Sequence, residues 1–435
     1  MALGDPRGVI IAAPRSGSGK TVLTLGLLAA LRAAGTNVAA AKTGPDYIDA
    51  AILGHTAGTP AVNLDPWAMP PDRLKHLAST AAHGSDLLVV EGVMGLFDGA
   101  ADGQGSTADL AAALGLPVVL VVDAERQSQS VAALVSGFAR WRDDVNVAAV
   151  ILNRVATTRH ERMLMRALAA TGIECLGAIP RRTGLALPER HLGLVLPAEI
   201  AHFDSVVADA GGIVTDHLDL SRVQAIALAL PKPEDAVSGL APLGQRIAIA
   251  TDGAFAFVYP HLLEDWRRAG AELMPFSPLA DEAPDSSADA VFLPGGYPEL
   301  HGATLAAAST FKAGLAATQA RGALIYGECG GFMALGEALI DKAGIPHQMA
   351  GLLPVVTRID RPRRTLGYRV LNHDSPLVWP PALRGHEFHY SSVEAFGGDP
   401  LFGASDAEGT QLPPMGTVVG RVMGSYAHVI DRASQ

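Results

Sequence analysis

Residues 8–21 read GVIIAAPRSGSGKT, and this stretch decides the fold of the first half of the chain. Residues 8–13 form a short, nearly continuous apolar run, as a buried parallel strand does. The run enters a Gly-rich turn, Pro14 to Gly19, and Lys20 and Thr21 then open an Ala/Leu-rich stretch with helical spacing. In a strand, turn and helix so arranged, consecutive backbone N–H groups and the helix N-terminus face a phosphate. Lys20 neutralises the β and γ oxygens of a nucleotide, and the Thr21 hydroxyl reaches Mg²⁺. The motif GxxxxGKT asks for Gly where this chain has Pro14, so the loop is a variant. Ser16, Gly17, Ser18, Gly19, Lys20 and Thr21 are the expected nucleotide contacts.

Outward from this loop the same alternation continues for about two hundred residues, with further candidate strands at 38–42, 87–91, 118–122 and 147–153. Apolar run, Gly or Asp turn and helical stretch in succession indicate a parallel sheet. Between 225 and 245 the chain reads AIALALPKPEDAVSGLAPLGQ, where apolar sequence gives way to Pro, Gly and Ser. A fresh strand signal starts at Arg246, followed by a helix near 260–269 and then AVFLPGG and ALIYGECGG. The expected organisation is a first α/β domain over 1–225, a linker over 226–245 and a second α/β domain over 246–435.

A chain of 435 residues with 49% hydrophobic content can bury sizeable cores in two or three domains. Its apolar segments fall well short of the roughly 20 residues a membrane helix needs. The start, MALGDPRG, carries no basic region followed by an apolar run, and Cys175 and Cys329 are too few and too far apart for a disulfide framework. A cytoplasmic protein is expected. The net charge of −11 argues against nucleic-acid or anionic-membrane partners, which need a broad basic face. Small molecules are the expected ligands, and a homodimer the expected assembly.

Several residues are placed for chemistry. Asp46 and Asp49 follow a Gly-Pro turn at a strand's carboxyl end, where α/β sheets put ligand-binding groups. Asp46 reads either as a Mg²⁺ or substrate contact or as a cap on the next helix. Glu91 ends the apolar LLVVE strand, where a carboxylate suits a second Mg²⁺ ligand; the alternative is a solvated strand-end acid. Asn153, at the end of VILNRV, offers an amide to an adenine edge or merely occupies a turn.

In the second half, Cys329 stands between a strand and a helix with Gly327, Gly330 and Gly331 around it. Such a tight turn projects a nucleophile and needs small neighbours, and a helix N-terminus lowers a thiol pKa. Gly295 and Gly296 in FLPGGYPE, with Gly330, can supply oxyanion-hole N–H groups. His428 is the candidate base, and His386 and His389 compete with it; by residue type alone each reads as a satisfied polar side chain. Five arginines crowd TRIDRPRRTLGYR, and Arg363 and Arg364 there suit a polycarboxylate or form a basic surface.

Taken in order, APRSGSGKT, KTGPDYID, VEGVMGLFDG, LPERHLGL, FLPGGYPEL, YGECGGFM, LGYR, GHEFHYS and GSYAHVI cover nearly the whole chain. Together they resemble the cobyrinic acid a,c-diamide synthase family, which includes the hydrogenobyrinic acid enzymes. The resemblance implies a dethiobiotin-synthetase-like P-loop domain joined to a class I glutamine amidotransferase domain of flavodoxin-like α/β fold. It implies ATP as co-substrate, Mg²⁺ on Thr21, Asp46 and Glu91, and a corrin-ring polycarboxylate acceptor near Asp46, Tyr47 and Asp49. It makes Cys329 the nucleophile and His428 its base. Most class I amidotransferases carry a Glu two residues after that His, and here the position is Ile430. The expected activity is amidation of the a and c carboxylates of hydrogenobyrinic acid. Rivals within the class act on the cobalt-containing ring, on nickel-sirohydrochlorin or on other corrin side chains. A partition-type nucleotide switch is the rival outside it, but that type carries a signature Lys where this loop has Arg15, and it leaves Cys329 unexplained.

Overall fold

The computed structural model describes residues 6–181, 189–190, 193–232 and 238–433. Seven strands of the first half form one parallel sheet: β1 (Arg7–Ala12), β2 (Val38–Thr43), β3 (Val62–Leu64), β4 (Leu87–Glu91), β5 (Val118–Asp123), β6 (Val147–Val155) and β7 (Glu174–Pro180), in the order β3-β2-β4-β1-β5-β6-β7. Val9, Ile10 and Ile11 of β1, Leu88 to Val90 of β4 and Val118 to Val122 of β5 are fully buried. Uniformly apolar strands of this kind fit only a sheet covered on both faces. The expected α/β parallel sheet is therefore the observed one.

The strand order reverses at β1, whose neighbours are β4 and β5. Open sheets leave a crevice at the carboxyl ends of strands at such a point. The Gly-rich loop follows β1 into it and opens helix α1 (Lys20–Ala33). Helix α2 (Tyr47–Ala57) follows β2 at the same edge. Helix α3 (Phe203–His217) lies against α1 so closely that a Cβ on Gly26 would stand 2.6 Å from the Ala210 carbonyl oxygen. A larger residue at 26 would lever α1, and with it the loop, off the sheet. Leu228 and Ala229 (β8), inside the stretch read as a linker, pair antiparallel with the start of β1. The chain divides into two compact units between Val237 and Ser238.

In the second unit, strands β9 (Arg246–Ala250), β10 (Glu272–Phe276), β11 (Ala290–Leu293) and β12 (Leu324–Glu328) lead a parallel sheet. A second, antiparallel sheet contains β13 (Thr365–Asn372), β14 (Ala382–His389), β15 (Phe402–Ser405) and β16 (Gln411–Met415). The chain then returns to the first sheet as β17 (Thr417–Val419) and β18 (Val422–Ser425), and ends as β19 (His428–Arg432) beside β14. The first sheet runs β10-β9-β11-β12-β18-β17, and its five parallel members have the flavodoxin-like order. Phe255, Phe311, Leu315, Phe332 and Leu335 pack its core, each worth ~1.5–3 kcal/mol when fully buried. A short helix, α4 (Gly330–Leu335), follows β12. Only Tyr426 and Ala427 separate β18 from β19, so the turn joining the two sheets lies at the end of β12. Among the described residues no helix is long and apolar enough to cross a membrane.

Candidate active sites

The phosphate loop of the first unit keeps its shape through two glycines in the left-handed region, Gly17 at φ 77° and Gly19 at φ 83°. A Cβ on Gly19 would stand 2.3 Å from Asn153 Nδ2. That nitrogen donates to the Ser18 carbonyl at 2.8 Å, and the Asn153 carbonyl accepts from the Arg154 N–H at 2.9 Å. Asn153 thus braces the loop from β6 and keeps one amide hydrogen and one lone pair for another partner. It lines a largely apolar cleft with Gly19, Leu23, Ile179 and Pro180, a surface suited to a flat base. Ser18 is buried and its hydroxyl donates to the Arg15 carbonyl, whereas Ser16 and Gly17 are exposed. No side chain caps α1 and its first turn has no acid, so its N-terminal N–H groups are left for an anion.

Beside the loop lies a cluster of buried charges. Glu91 is fully buried; its Oε1 accepts from the Thr21 hydroxyl at 2.8 Å and from Lys42 Nζ at 3.0 Å, with Lys20 Nζ at 3.8 Å. Lys42 also pairs with Asp49 Oδ2 at 2.5 Å. Burial alone would depress Lys42, but Asp49, Glu91 and Asp46 outweigh it and hold the ammonium firmly protonated. Lys20 is pushed down by burial and then by Lys42. Lys42 is the residue that sequence reasoning misses here. The available signal is a lone Lys at the end of the apolar VAAAKT strand, which requires a partner.

Asp46 does cap α2: its Oδ1 accepts from the backbone N–H of Ile48 and of Asp49, each at 2.9 Å. Burial and then the Asp49 charge raise its carboxyl to about 7, against Lys42 and the two N–H groups. Tyr47 opens the same helix, and Asp49 is held by Lys42. The donor set fits a Mg²⁺ ion. Glu91 Oε2 is buried with no hydrogen-bond partner, next to a hydroxyl and beside a phosphate loop. Among the described residues no group of three or more His, Cys, Asp or Glu is arranged around a metal position. Mg²⁺ in nucleotide sites is commonly held by one or two carboxylates plus phosphate and water.

In the second unit Cys329 stands at the strand-to-helix turn with φ 48° and ψ −104°, a strained conformation for a non-glycine residue. The turn closes only because its neighbours lack side chains. A Cβ on Gly331 would stand 1.9 Å from the Leu293 carbonyl oxygen, and one on Gly330 3.0 Å from the Gly296 nitrogen. The loop after β11 is thereby pressed against the start of α4, which gathers Gly295, Gly296 and Gly330 around Cys329. A Cβ on Gly295 would meet His428 Cε1 at 2.3 Å and Cys329 Cβ at 3.3 Å, so thiol and imidazole share one small space.

Burial pushes the Cys329 thiol well up, Glu299 adds to this, and only the Gly330 N–H opposes it. The lowered thiol pKa expected from a helix N-terminus is not found: six residues make too short a helix, and burial, with Glu299 adding to it, outweighs the one N–H. His428 is depressed by burial and then by His386 and His389, so it is a neutral imidazole able to accept a proton. Its ring stacks on His386, centroids 5.1 Å apart. His386, pushed down to about 3 mainly by burial, has Nδ1 3.2 Å from the Tyr259 hydroxyl. His389 faces Glu387 at 3.2 Å. Of the three histidines, His428 is the one that a Cβ on Gly295 would meet, beside Cys329.

The arginine stretch divides. Arg358 pairs with Asp360 and Glu394 and Arg369 with Glu387, while Arg363 and Arg364 are exposed. Cys175 lies in β7, its thiol 3.5 Å from the Gly177 carbonyl and raised by burial. Of LPERHLGL, only the backbone of Glu189–Arg190 and Gly193–Leu194 is described, as a short antiparallel pair; the rest lies outside the described residues.

Comparison with known proteins matches residues 9–195 to the CobQ/CobB/MinD/ParA nucleotide binding domain family and residues 246–435 to the CobB/CobQ-like glutamine amidotransferase domain family. The chain is 53% identical over 430 residues to the hydrogenobyrinate a,c-diamide synthase of Brucella abortus, covering 98% of each chain. It is 50% identical to the enzymes of that name from a Sinorhizobium species and from Rhodobacter capsulatus, over 98% of this chain and 99% of theirs. The protein with the braced phosphate loop and the Cys329 elbow therefore belongs to the hydrogenobyrinate a,c-diamide synthase family.

Proposed function

We propose that the protein converts the a and c side-chain carboxylates of hydrogenobyrinic acid into primary amides, with ATP and glutamine as co-substrates. Family membership makes it an amidating ligase with a nucleotide-binding and a glutamine amidotransferase domain. The acceptor is taken from what its relatives are named for. The observation that carries the chemistry is Cys329 on a strained elbow with His428 across the Gly295 space, in a chain that also holds a buried Thr21–Glu91–Lys42 cluster beside a phosphate loop.

A free carboxylate is a poor electrophile. Its oxygen attacks the γ-phosphorus of ATP, ADP leaves, and the acyl phosphate then loses inorganic phosphate to ammonia. Lys20 and the α1 N-terminus hold the triphosphate, Asn153 and the apolar cleft take the base, and Lys42 with Asp46, Tyr47 and Asp49 faces the acceptor. Thr21, Glu91 and Asp46 would hold a Mg²⁺ ion, which when bound would offset charge on the transferring phosphoryl. In the other unit His428 takes the Cys329 proton, the sulfur attacks the glutamine carboxamide, and the N–H groups of Gly296 and Gly330, with the Gly295 loop, receive the oxyanion. Collapse returns the proton to the departing ammonia and leaves a thioester that water hydrolyses to glutamate. The stretch 226–245 links the two activities, and Arg363 and Arg364 offer forks to carboxylates. ATP and glutamine as co-substrates support a cytoplasmic location.

The test offers hydrogenobyrinic acid and cobyrinic acid in parallel with ATP, Mg²⁺ and glutamine, and counts amides by mass spectrometry. Two amides on the metal-free ring, formed faster than on the cobalt ring, are expected. Preference for the cobalt ring would change the acceptor and keep the chemistry. Lys20→Ala should abolish amidation and spare basal glutamine hydrolysis, and Cys329→Ala should do the reverse when ammonia is supplied.

A further inference from the structure

The second unit lacks a carboxylate where amidotransferases of this class usually place one. Ile430, two residues after His428, is a buried hydrocarbon whose carbonyl oxygen lies 3.0 Å from His261 Nε2. The structure puts a carboxylate against the imidazole from another strand. Glu328, the residue before Cys329, is buried at the end of β12, with Oε2 3.8 Å from His428 Nδ1. Its Oε1 accepts from the Tyr326 hydroxyl at 3.0 Å and from the Val429 N–H at 3.1 Å. The Cys329 N–H donates to the Ser425 carbonyl at 2.8 Å. Two hydrogen bonds therefore tie the Glu328–Cys329 backbone and side chain to the segment carrying His428, one on either side of that residue.

We propose that Glu328 is the positioning residue for His428: its Oε2 accepts the Nδ1 hydrogen as Nε2 takes the proton of the Cys329 thiol. This selects the tautomer whose Nε2 carries no hydrogen and stabilises the imidazolium that forms, while Glu328 itself ends unprotonated. At 3.8 Å the contact must shorten by less than 1 Å, and such bonds tighten when substrate fills the site. Tyr326 and His428 face the Glu328 carboxyl. His428 is faced as well by Cys329 and, from β14, by His386 and His389, with the Glu387–Arg369 pair beside them and Glu299 near the thiol. Burial raises the Glu328 carboxyl to about 8, which places its ionisation where a pH profile can read it.

The inference rests on the glutaminase reading above. Steady-state glutamine hydrolysis is measured from pH 6 to 9.5 with the full chain and all co-substrates, for wild type, Cys329→Ala, Glu328→Gln, Glu328→Asp and Tyr326→Phe. The wild-type kcat is expected to rise with pH through the region near 8. Glu328→Gln should lose on the order of 10² to 10⁴ in kcat, the upper end being the loss in a serine triad, with KM for glutamine little changed and that limb gone. Glu328→Asp should restore part of the rate. Tyr326→Phe keeps the carboxyl but removes a donor to its ionised form, so the limb should move to higher pH. A wild-type profile in Glu328→Gln, or an unmoved limb in Tyr326→Phe, overturns the assignment even where Cys329→Ala is inactive. Wild type without glutaminase, or an active Cys329→Ala, would instead remove the reading beneath it.

Discussion

Lys42→Met tests whether a single ammonium holds the nucleotide-site carboxylates together. Methionine retains much of the stem volume and removes the charge. Glu91, fully buried, then keeps Thr21 as its close donor, with Lys20 at 3.8 Å. Asp49 is 16% exposed and can turn part of its charge to water, but Glu91 cannot. Breaking a buried pair by removing one partner costs about 3–5 kcal/mol. For a unit of this size each kcal/mol moves the melting temperature by about 2–4 °C, so a drop of ~6–20 °C is expected in the transition of the first unit. Calorimetry reads the transition. Hydrogen exchange in the peptides over β2 and β4, with β9 as internal control, shows that the loss is local. Adding Glu91→Gln to Lys42→Met should recover part of the loss, because removing both charges is nearly neutral where removing one is not. A Lys42→Met protein as stable as wild type, or a double variant that loses the sum of the two single effects, would refute the reasoning.

Three further outcomes are expected. Gly295→Ala puts a methyl group 2.3 Å from His428 Cε1; glutamine-dependent amidation should fall by about 100-fold or more, the cost of a misplaced catalytic group, while ammonia-supported amidation is retained. Gly19→Ala meets Asn153 Nδ2 at 2.3 Å at a φ of 83°; calorimetric titration should show ATP affinity reduced by about 5- to 30-fold, the equivalent of ~1–2 kcal/mol of backbone strain, and glutamine hydrolysis unaffected. Asp46→Asn keeps a capping oxygen but cannot ionise. Because the native carboxyl titrates near 7 against an ordinary 3.8, native protein holds a proton that unfolded protein has lost between those values, and stability falls as pH rises across that window. The variant should gain stability above pH 7, by at most about 4 kcal/mol at 1.36 kcal/mol per pH unit, and nothing below pH 4; equal gains at pH 4 and pH 8 would count against it.

The first sheet is legible in the sequence because strands buried on both faces carry a nearly continuous apolar run, as β1, β2, β4, β5 and β6 do, with their polar residues at the strand ends. The Gly-rich loop is legible for the same local reason, since shape and charge both come from adjacent residues. Contacts made by register are not. Lys42 stands opposite Glu91 because β2 and β4 are neighbours, and they are 49 residues apart with β3 between them in the chain. Glu328 adjoins Cys329 in sequence, yet its carboxyl matters only because β19 brings His428 alongside. The antiparallel sheet that carries β19 mixes polar and apolar residues without a strict period, so GHEFHYS reads as a histidine cluster rather than as strand β14. The expected lowering of the Cys329 thiol fails similarly: the helix is visible in the sequence, but the burial and the facing Glu299 are not.

The two sites solve opposite electrostatic problems with the same resource, burial. Around the phosphate loop the charges are already present, and Lys42 is held protonated because three carboxylates share it. A triphosphate arriving there meets Lys20, whose ammonium is disfavoured by burial and then by Lys42, so the added negative charge should favour its charged form. Around Cys329 the three groups of the relay are each driven toward neutrality: thiol up, His428 down, Glu328 up. A resting thiolate–imidazolium pair is disfavoured in so dry a space, and the nucleophile is created only when glutamine supplies a carbonyl to attack. That arrangement limits reaction of the sulfur with other electrophiles. It also predicts that iodoacetamide modifies Cys329 slowly at pH 7 and that a glutamine-like electrophile able to fill the oxyanion loop modifies it quickly; equal rates for the two reagents would show that the thiol is ionised at rest.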